Sequence, residues 1–154
     1  MGKKPTDRGK TGTKRSILTD GQGVPIGLAV DGANRNDFKM ARETIESIAA
    51  ERPDPTHAAP QGLCLDKGYD YDEVRDLLEE FGFTAHIRAR GEEAKALLEE
   101  AGFKARRWVV ERTHSWMNRF RRILIRWDKK VCNYLGFLHL ACAYITYTRS
   151  GLLG

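Results

Sequence analysis

Cysteine is scarce, with Cys64, Cys132 and Cys142 the three in 154 residues. The number is odd and no pair has CxxC spacing, which argues against a disulfide scaffold or a zinc site. Their apolar surroundings predict buried thiols in a reducing, cytoplasmic compartment. Long hydrophobic runs are also missing. The longest apolar-rich run, Tyr134 to Tyr147, contains His139 and is too short to cross a bilayer. Met1 is followed by GKKPTDRGKTGTKR, which lacks the apolar core of a signal peptide. His57, His86, His114 and His139 have no zinc spacing. No P-loop, GxSxG or dinucleotide fingerprint occurs, and Gly21-Gln22-Gly23 reads as a hairpin turn rather than a phosphate loop. Repeats and low-complexity tracts are absent. With 41% hydrophobic and 31% charged residues, the remaining expectation is one globular domain with its own core.

What the chain does have is segregated charge. The net value is +5. Residues 1–42 carry nine Lys/Arg against four Asp/Glu, residues 43–103 six against fifteen, and residues 104–130 ten against two. A basic head and a basic helical stretch flank an acidic middle, a pattern that fits a polyanion partner on one face. Arginine solvating an ordinary helix is the plainer reading of the same charges.

The pattern of residues predicts a mixed α/β sheet. Residues 1–12 read as a flexible basic lead-in. Lys14–Thr19 and Val24–Val30 are strand-like and joined by Asp20-Gly21-Gln22-Gly23, a β-hairpin. Asp37 is placed to cap a helix from Phe38 to Glu51, with Phe38, Ala41, Ile45 and Ile48 inward. Gly62–Leu65 reads as a strand that stops at Asp66-Lys67-Gly68-Tyr69-Asp70. A helix over Tyr71–Phe81 follows, with Val74, Leu77 and Leu78 inward, then a strand over Phe83–Arg88. Glu92–Ala101 and Asn133–Thr148 read as helices, the second packing Leu135, Leu138, Cys142 and Ile145. Alternating strands and helices argue for α/β architecture.

The most informative stretch is Arg106 to Trp127. Val109, Thr113, Trp116, Phe120, Ile123 and Trp127 form an apolar stripe at helical spacing. A single carboxylate, Glu111, stands among seven arginines. It reads either as an ordinary ion pair with Arg107 or as a metal ligand beside a phosphate-binding surface. The same spacing puts Arg107, Glu111, His114, Asn118 and Arg121 or Arg122 in one polar row. Asp66, at a strand tip before a glycine turn, reads either as a turn cap or as a site acid, since ligands gather beyond strand ends in α/β sheets. Two carboxylates from separate elements suit magnesium, which takes few protein carboxylates and keeps water and phosphate oxygens. Two-metal phosphoryl transfer uses that arrangement, and the arginines would hold the phosphate backbone. Tyr69 and Tyr71 read either as base-stacking residues or as packing at a helix start.

Four segments in order are familiar: PTDRGKTGTKRSILTDGQGVPIGLAVDGANRNDFKM, LDKGYD, RRWVVERTHSWMNRFRRILIRWDKK and YLGFLHLACAYI. They resemble insertion-sequence transposases of the DDE class over about Pro5 to Ile145. The resemblance implies an RNase H-like fold and metal-dependent cutting and joining of DNA at element ends, with Mg2+ or Mn2+ held by three carboxylates. Asp66 matches the second acid and Glu111 the third. Arg107 matches the arginine of a tyrosine–arginine–glutamate–lysine signature, whose tyrosine falls at Lys104 and whose lysine falls at Asn118. Arg112, Arg119, Arg121 and Arg122 are the accompanying candidates for DNA contact.

In the family the first aspartate lies on a strand upstream of the PTDRGK segment, and Asp7, Asp20 and Asp31 do not match it. The resemblance therefore implies an RNase H-like sheet flanked by helices and truncated before its central first strand. The expected layout is a partial catalytic domain over residues 13–149 and a tail at 150–154. The expected function is that of a transposase C-terminal segment. Its partners would be DNA (element ends and target) and the missing N-terminal segment or another protomer, in the bacterial cytoplasm at the nucleoid and not at a membrane. The alternatives are a non-catalytic DNA-binding fragment or regulator, or a decayed transposase remnant.

Overall fold

Side-chain alternation along one hairpin organises the molecule. The computed structural model describes residues 2–3, 11–87 and 108–151. A two-residue strand β1 (Gly2–Lys3) pairs antiparallel with the start of β2 (Thr11–Thr19), where the sequence suggested only a lead-in. β2 pairs antiparallel with β3 (Pro25–Gly32), with Ile17 opposite Leu28. The turn between them is closed by the Asp20 carboxylate, which accepts the Gln22 and Val24 amides at 2.8 and 2.9 Å. Gly23 sits there at φ 87°, in the left-handed region.

Successive residues of a strand point to opposite faces, and here each face meets its own core. Thr13, Arg15 and Ile17 face one side. Ile17 and Leu28 pack there with Met117, Ile123, Tyr134, Leu138, Ala141 and Ile145. Those residues come from α3 (Trp108–Met117), α4 (Arg121–Leu124) and α5 (Val131–Arg149). Lys14, Ser16 and Leu18 face the other side. Leu18 packs against a second cluster of Ala41, Ile45, Leu63, Val74, Leu77 and Leu78. These are supplied by α1 (Ala41–Glu46), β4 (Gln61–Leu65) and α2 (Asp72–Glu80). β4 runs parallel to β5 (Phe83–Ile87), with α2 as the crossover. Among the described residues the strands form two sheets, β1-β2-β3 and β4-β5. The architecture is mixed α/β, as the alternating pattern implied.

Gly27 marks the closest approach of hairpin and helix. A Cβ there would lie 2.5 Å from the Thr44 carbonyl oxygen. α1 is shorter than the helix expected over 38–51. Asp37–Met40 is a 3-10 turn and the α-helix ends at Glu46. The Ser47 hydroxyl donates to the Thr44 carbonyl at 2.7 Å and accepts the Leu28 amide at 2.6 Å, which fastens the chain to β3 at that point. Asp37 is not the cap. Asn36 holds that position, and Asp37 instead pairs with Lys14 at 3.1 Å.

The arginine stretch is not one helix. α3 ends at Met117 and tightens through bonds from the Arg119 amide to the Trp116 carbonyl and from the Phe120 amide to the Met117 carbonyl. Phe120 is extended, and α4 lasts one turn. Arg119 and Arg122, three apart, would repel on a continuous helix. The carbonyls after the break are met from elsewhere: Ile123 accepts from the Tyr134 hydroxyl at 3.1 Å, and the Arg126 guanidinium donates to the Asp128 and Lys129 carbonyls at 2.9 and 3.0 Å. Trp127, expected on the apolar stripe, is therefore 73% exposed. The expectation of buried thiols also fails at two positions: Cys64 and Cys132 are exposed, because their strand and helix turn the neighbouring residues Leu63 and Tyr134 inward instead. The helix expected over Glu92–Ala101 lies outside the described residues, as does Arg107.

Candidate functional site

Two elements end at one cleft of about 400 Å³ between β2 and β4. β4 delivers Asp66 at its tip. Asp66 is exposed and caps the following 3-10 turn (Lys67–Tyr69), its Oδ1 accepting the Lys67 amide at 2.7 Å. The turn-cap reading is thus correct locally, and it also fixes the carboxylate at the cleft edge.

Glu111 comes from the first turn of α3. That helix is seated on the hairpin turn. Thr113 is fully buried, and its hydroxyl donates to the Gly23 carbonyl at 2.7 Å. Arg112 donates to the Gln22 carbonyl at 2.6 Å and lies over the rings of Trp108 and Trp116, 4.7 and 4.9 Å from their centroids. A Cβ on Gly23 would meet Arg112 Nη2 and Thr113 Oγ1, both at 3.1 Å, so glycine is what lets α3 approach. With α3 anchored on this side, Glu111 and His114 face the cleft. Glu111 is exposed and makes no ion pair among the described residues.

Four carboxylates line the cleft: Asp20, Asp37, Asp66 and Glu111. Asp20 is used by the hairpin turn and Asp37 by Lys14. Asp31 is elsewhere, paired with Arg35, which together with the Gly32 amide holds its carboxyl below the usual range. No three His, Cys, Asp or Glu side chains form a metal-sized group among the described residues. Tyr69 also lines the cleft. Burial, with the Asp37 charge adding, pushes its phenol up to about 12, so it stays neutral. His114 is held below its ordinary value chiefly by burial and then by the Arg15 charge, with Glu111 opposing. Tyr71 packs on Phe38, with ring centroids 4.4 Å apart.

The candidate DNA residues divide. Arg112 is occupied by the hairpin and the two indoles. Arg122 pairs with Asp128 at 3.4 Å and lies over Phe137, while keeping 59% of its side chain exposed. Arg119 and Arg121 are exposed and form no ion pair among the described residues. Asn118 lies beyond the end of α3 and accepts a bond from Arg15 Nη2 at 2.8 Å. Arg15 was missed by the sequence reading. Its signal was a cation in mid-strand on the same side as Ile17, a side that a strand normally gives to the core.

Among the described residues, no helix is long and apolar enough to cross a membrane. The family described as "Transposase DDE domain" matches residues 2–146. A candidate transposase for insertion sequence element IS402 from Burkholderia cepacia is 35% identical over 148 residues, covering 95% of this chain and 68% of that relative. A candidate transposase for insertion sequence element IS6501 from Brucella ovis is 30% identical over 134 residues, covering 86% of this chain and 96% of that relative. No solved structure matches the chain.

Proposed function

This chain belongs to the transposase DDE domain family, and from that premise we propose that Asp66 and Glu111 are two carboxylates of an RNase H-like site for cutting and joining DNA. The observation that carries the reading is their convergence: acids from a strand tip and from a helix of the other core line one cleft. Among the described residues Glu111 forms no ion pair, and Arg107 lies outside them.

The donor chemistry fits a hard divalent cation. Carboxylate oxygens suit magnesium or manganese, and the cleft leaves room for water and phosphate oxygens as the other ligands. Two such acids are too few to offset a metal pair. Among the described residues that line the cleft Asp20 and Asp37 are already engaged, so the reading calls for a third carboxylate from outside them, on a further transposase segment or a second protomer. When bound, the metal supplies activation of the attacking oxygen and charge neutralisation at the leaving one. The chain's own part is positioning. The Thr113 and Arg112 contacts hold α3, and with it Glu111, at a fixed height above the hairpin. Tyr69 stays a neutral wall. Arg119 and Arg121 present guanidiniums to the DNA backbone, and Arg122 adds to that surface. The setting is the DNA of the bacterial cytoplasm.

The test is joining of element-end DNA with magnesium or manganese. The full chain is assayed alone and with a transposase segment that carries a further strand-borne aspartate, fused or in trans. Joining should appear with the supplement. It should fall about a thousandfold in Asp66→Asn and in Glu111→Gln with folding retained, since each removes several kcal/mol of charge stabilisation at the reacting centre. Undiminished joining in either variant would defeat the assignment. The absence of a three-ligand group among the described residues favours one second reading, a DNA-binding regulator. That protein would bind DNA and join nothing under any supplement.

A further inference from the structure

Arg15 is the single Lys or Arg among the described residues that line the cleft, and it stands among four carboxylates. It pairs with none of them. Its Nη2 donates instead to the neutral amide oxygen of Asn118, at 2.8 Å. Its Nη1 is shut off from bulk solvent and has no acceptor among the described residues. A buried guanidinium N–H without an acceptor is costly, and the nearby acids do not relieve it. The one bond it does make fixes the plane of the fork. Such a pre-set fork matches the geometry of a phosphate, which accepts two parallel N–H bonds.

We propose that Arg15, oriented by Asn118, is a phosphate-binding residue of the cleft that takes a non-bridging oxygen of the DNA phosphate lying at Asp66 and Glu111. The inference rests on the cut-and-join reading of that cleft. It gives Asn118 a positioning role: the residue acts through Arg15 instead of touching DNA itself. It also explains how a cleft lined by acids admits an anion. The cation enters from the hairpin, opposite the β4 wall, and the Asn118 bond leaves Nη1 as the donor available to the arriving oxygen.

The test uses inorganic phosphate and a short DNA duplex with the full chain. The reporter is the ring resonance of His114, which lines the same cleft, observed at fixed pH. Phosphate should shift that resonance in the unaltered chain. Arg15→Gln should weaken the phosphate response about tenfold or more, as loss of a charge-assisted bond implies. It should also lower the salt slope of duplex binding by about one. Arg15→Lys should recover part of the affinity through its charge but not the fork. Asn118→Ala, at an exposed position, should lose phosphate affinity a few-fold with an unchanged melting temperature. This second variant decides the matter should Arg15→Gln unfold the chain. An unaltered phosphate response in Arg15→Gln, or in both Asn118→Ala and Arg15→Lys, would overturn the inference. If the chain binds DNA with phosphate leaving His114 unmoved, the inference alone fails. If it binds neither phosphate nor DNA, the underlying reading fails with it.

Discussion

The two faces of the β2–β3 hairpin carry cores of nearly equal size and opposite surroundings. Seven buried residues make the core under α3, α4 and α5, and six make the core between α1, β4 and α2. Packing alone would not distinguish them. Charge does. On the α2 side, cations are matched internally: Arg42 meets Glu80 through two bonds at 3.0 and 2.7 Å, and Arg75 meets Asp70 at 2.6 Å. Arg52 is used by the Gln61 side chain and the Phe81 carbonyl. On the α3 side, Arg119 and Arg121 have no such match. In the acidic half it is the cations that are matched, with carboxylates left in excess, whereas in the basic half arginines are left in excess. Each half also sends one of the two proposed site carboxylates, Asp66 or Glu111, to the shared cleft.

The sharpest way to break the comparison is to empty each core in turn. Leu78 and Leu138 are both fully buried, one in each cluster. Leu78→Ala and Leu138→Ala should each cost about 2–5 kcal/mol. If the hairpin couples the halves into one cooperative unit, each variant shifts a single unfolding transition by thermal melting. Two separated transitions would show that the halves fold independently.

A smaller effect separates the two sets of arginines. Arg119→Ala with Arg121→Ala should reduce the slope of log affinity for DNA against log salt by about two, one for each lost phosphate contact. Arg42→Ala with Arg75→Ala, on the acidic side, should leave that slope unchanged. Arg122→Ala should fall between, because Asp128 already holds its guanidinium. Equal slopes in all three would remove the distinction between the halves.

How much of this was legible beforehand follows the same division. From β4 to β5 the acidic half was read closely. Val74, Leu77 and Leu78 point inward as their spacing implied, and Gly82 ends α2 at φ 71°. Local pattern governs there, because each element is short and amphipathic. The basic half was read less well. A stripe at helical spacing suggested one helix to Trp127, but the break at Asn118–Phe120 is set by contacts from α5 and from Arg126, which local spacing does not encode. Asp66 and Glu111 were visible as candidate acids because each interrupts an otherwise consistent local pattern. Arg15 was not visible, since its meaning depends on Asn118, far along the chain and brought near only by the docking of α3 on the hairpin turn. The end of α1 escaped for a similar reason, being set by the bond between Ser47 and the Leu28 amide.

The smallest expected effect is a pH dependence from His114. Its folded pKa lies below the ordinary 6.5, chiefly through burial. The unfolded chain therefore binds the proton more readily, and stability should be full above pH 6.5 and decline as pH falls from there towards the folded value. The melting temperature of His114→Gln should show a shallower decline across that interval than the unaltered chain. An identical decline would assign the effect to other groups.

The central claim is that a strand tip in one half and a helix in the other form one metal-binding cleft. Manganese(II) broadens nuclear resonances close to where it binds, so amide spectra of the chain during a manganese titration test this claim most directly. The account predicts that the amides flanking Asp66 and those flanking Glu111 broaden together at the same manganese concentrations. Both sets should recover in Asp66→Asn and equally in Glu111→Gln. Broadening confined to one of the two acids, or surviving unchanged after either substitution, would contradict it.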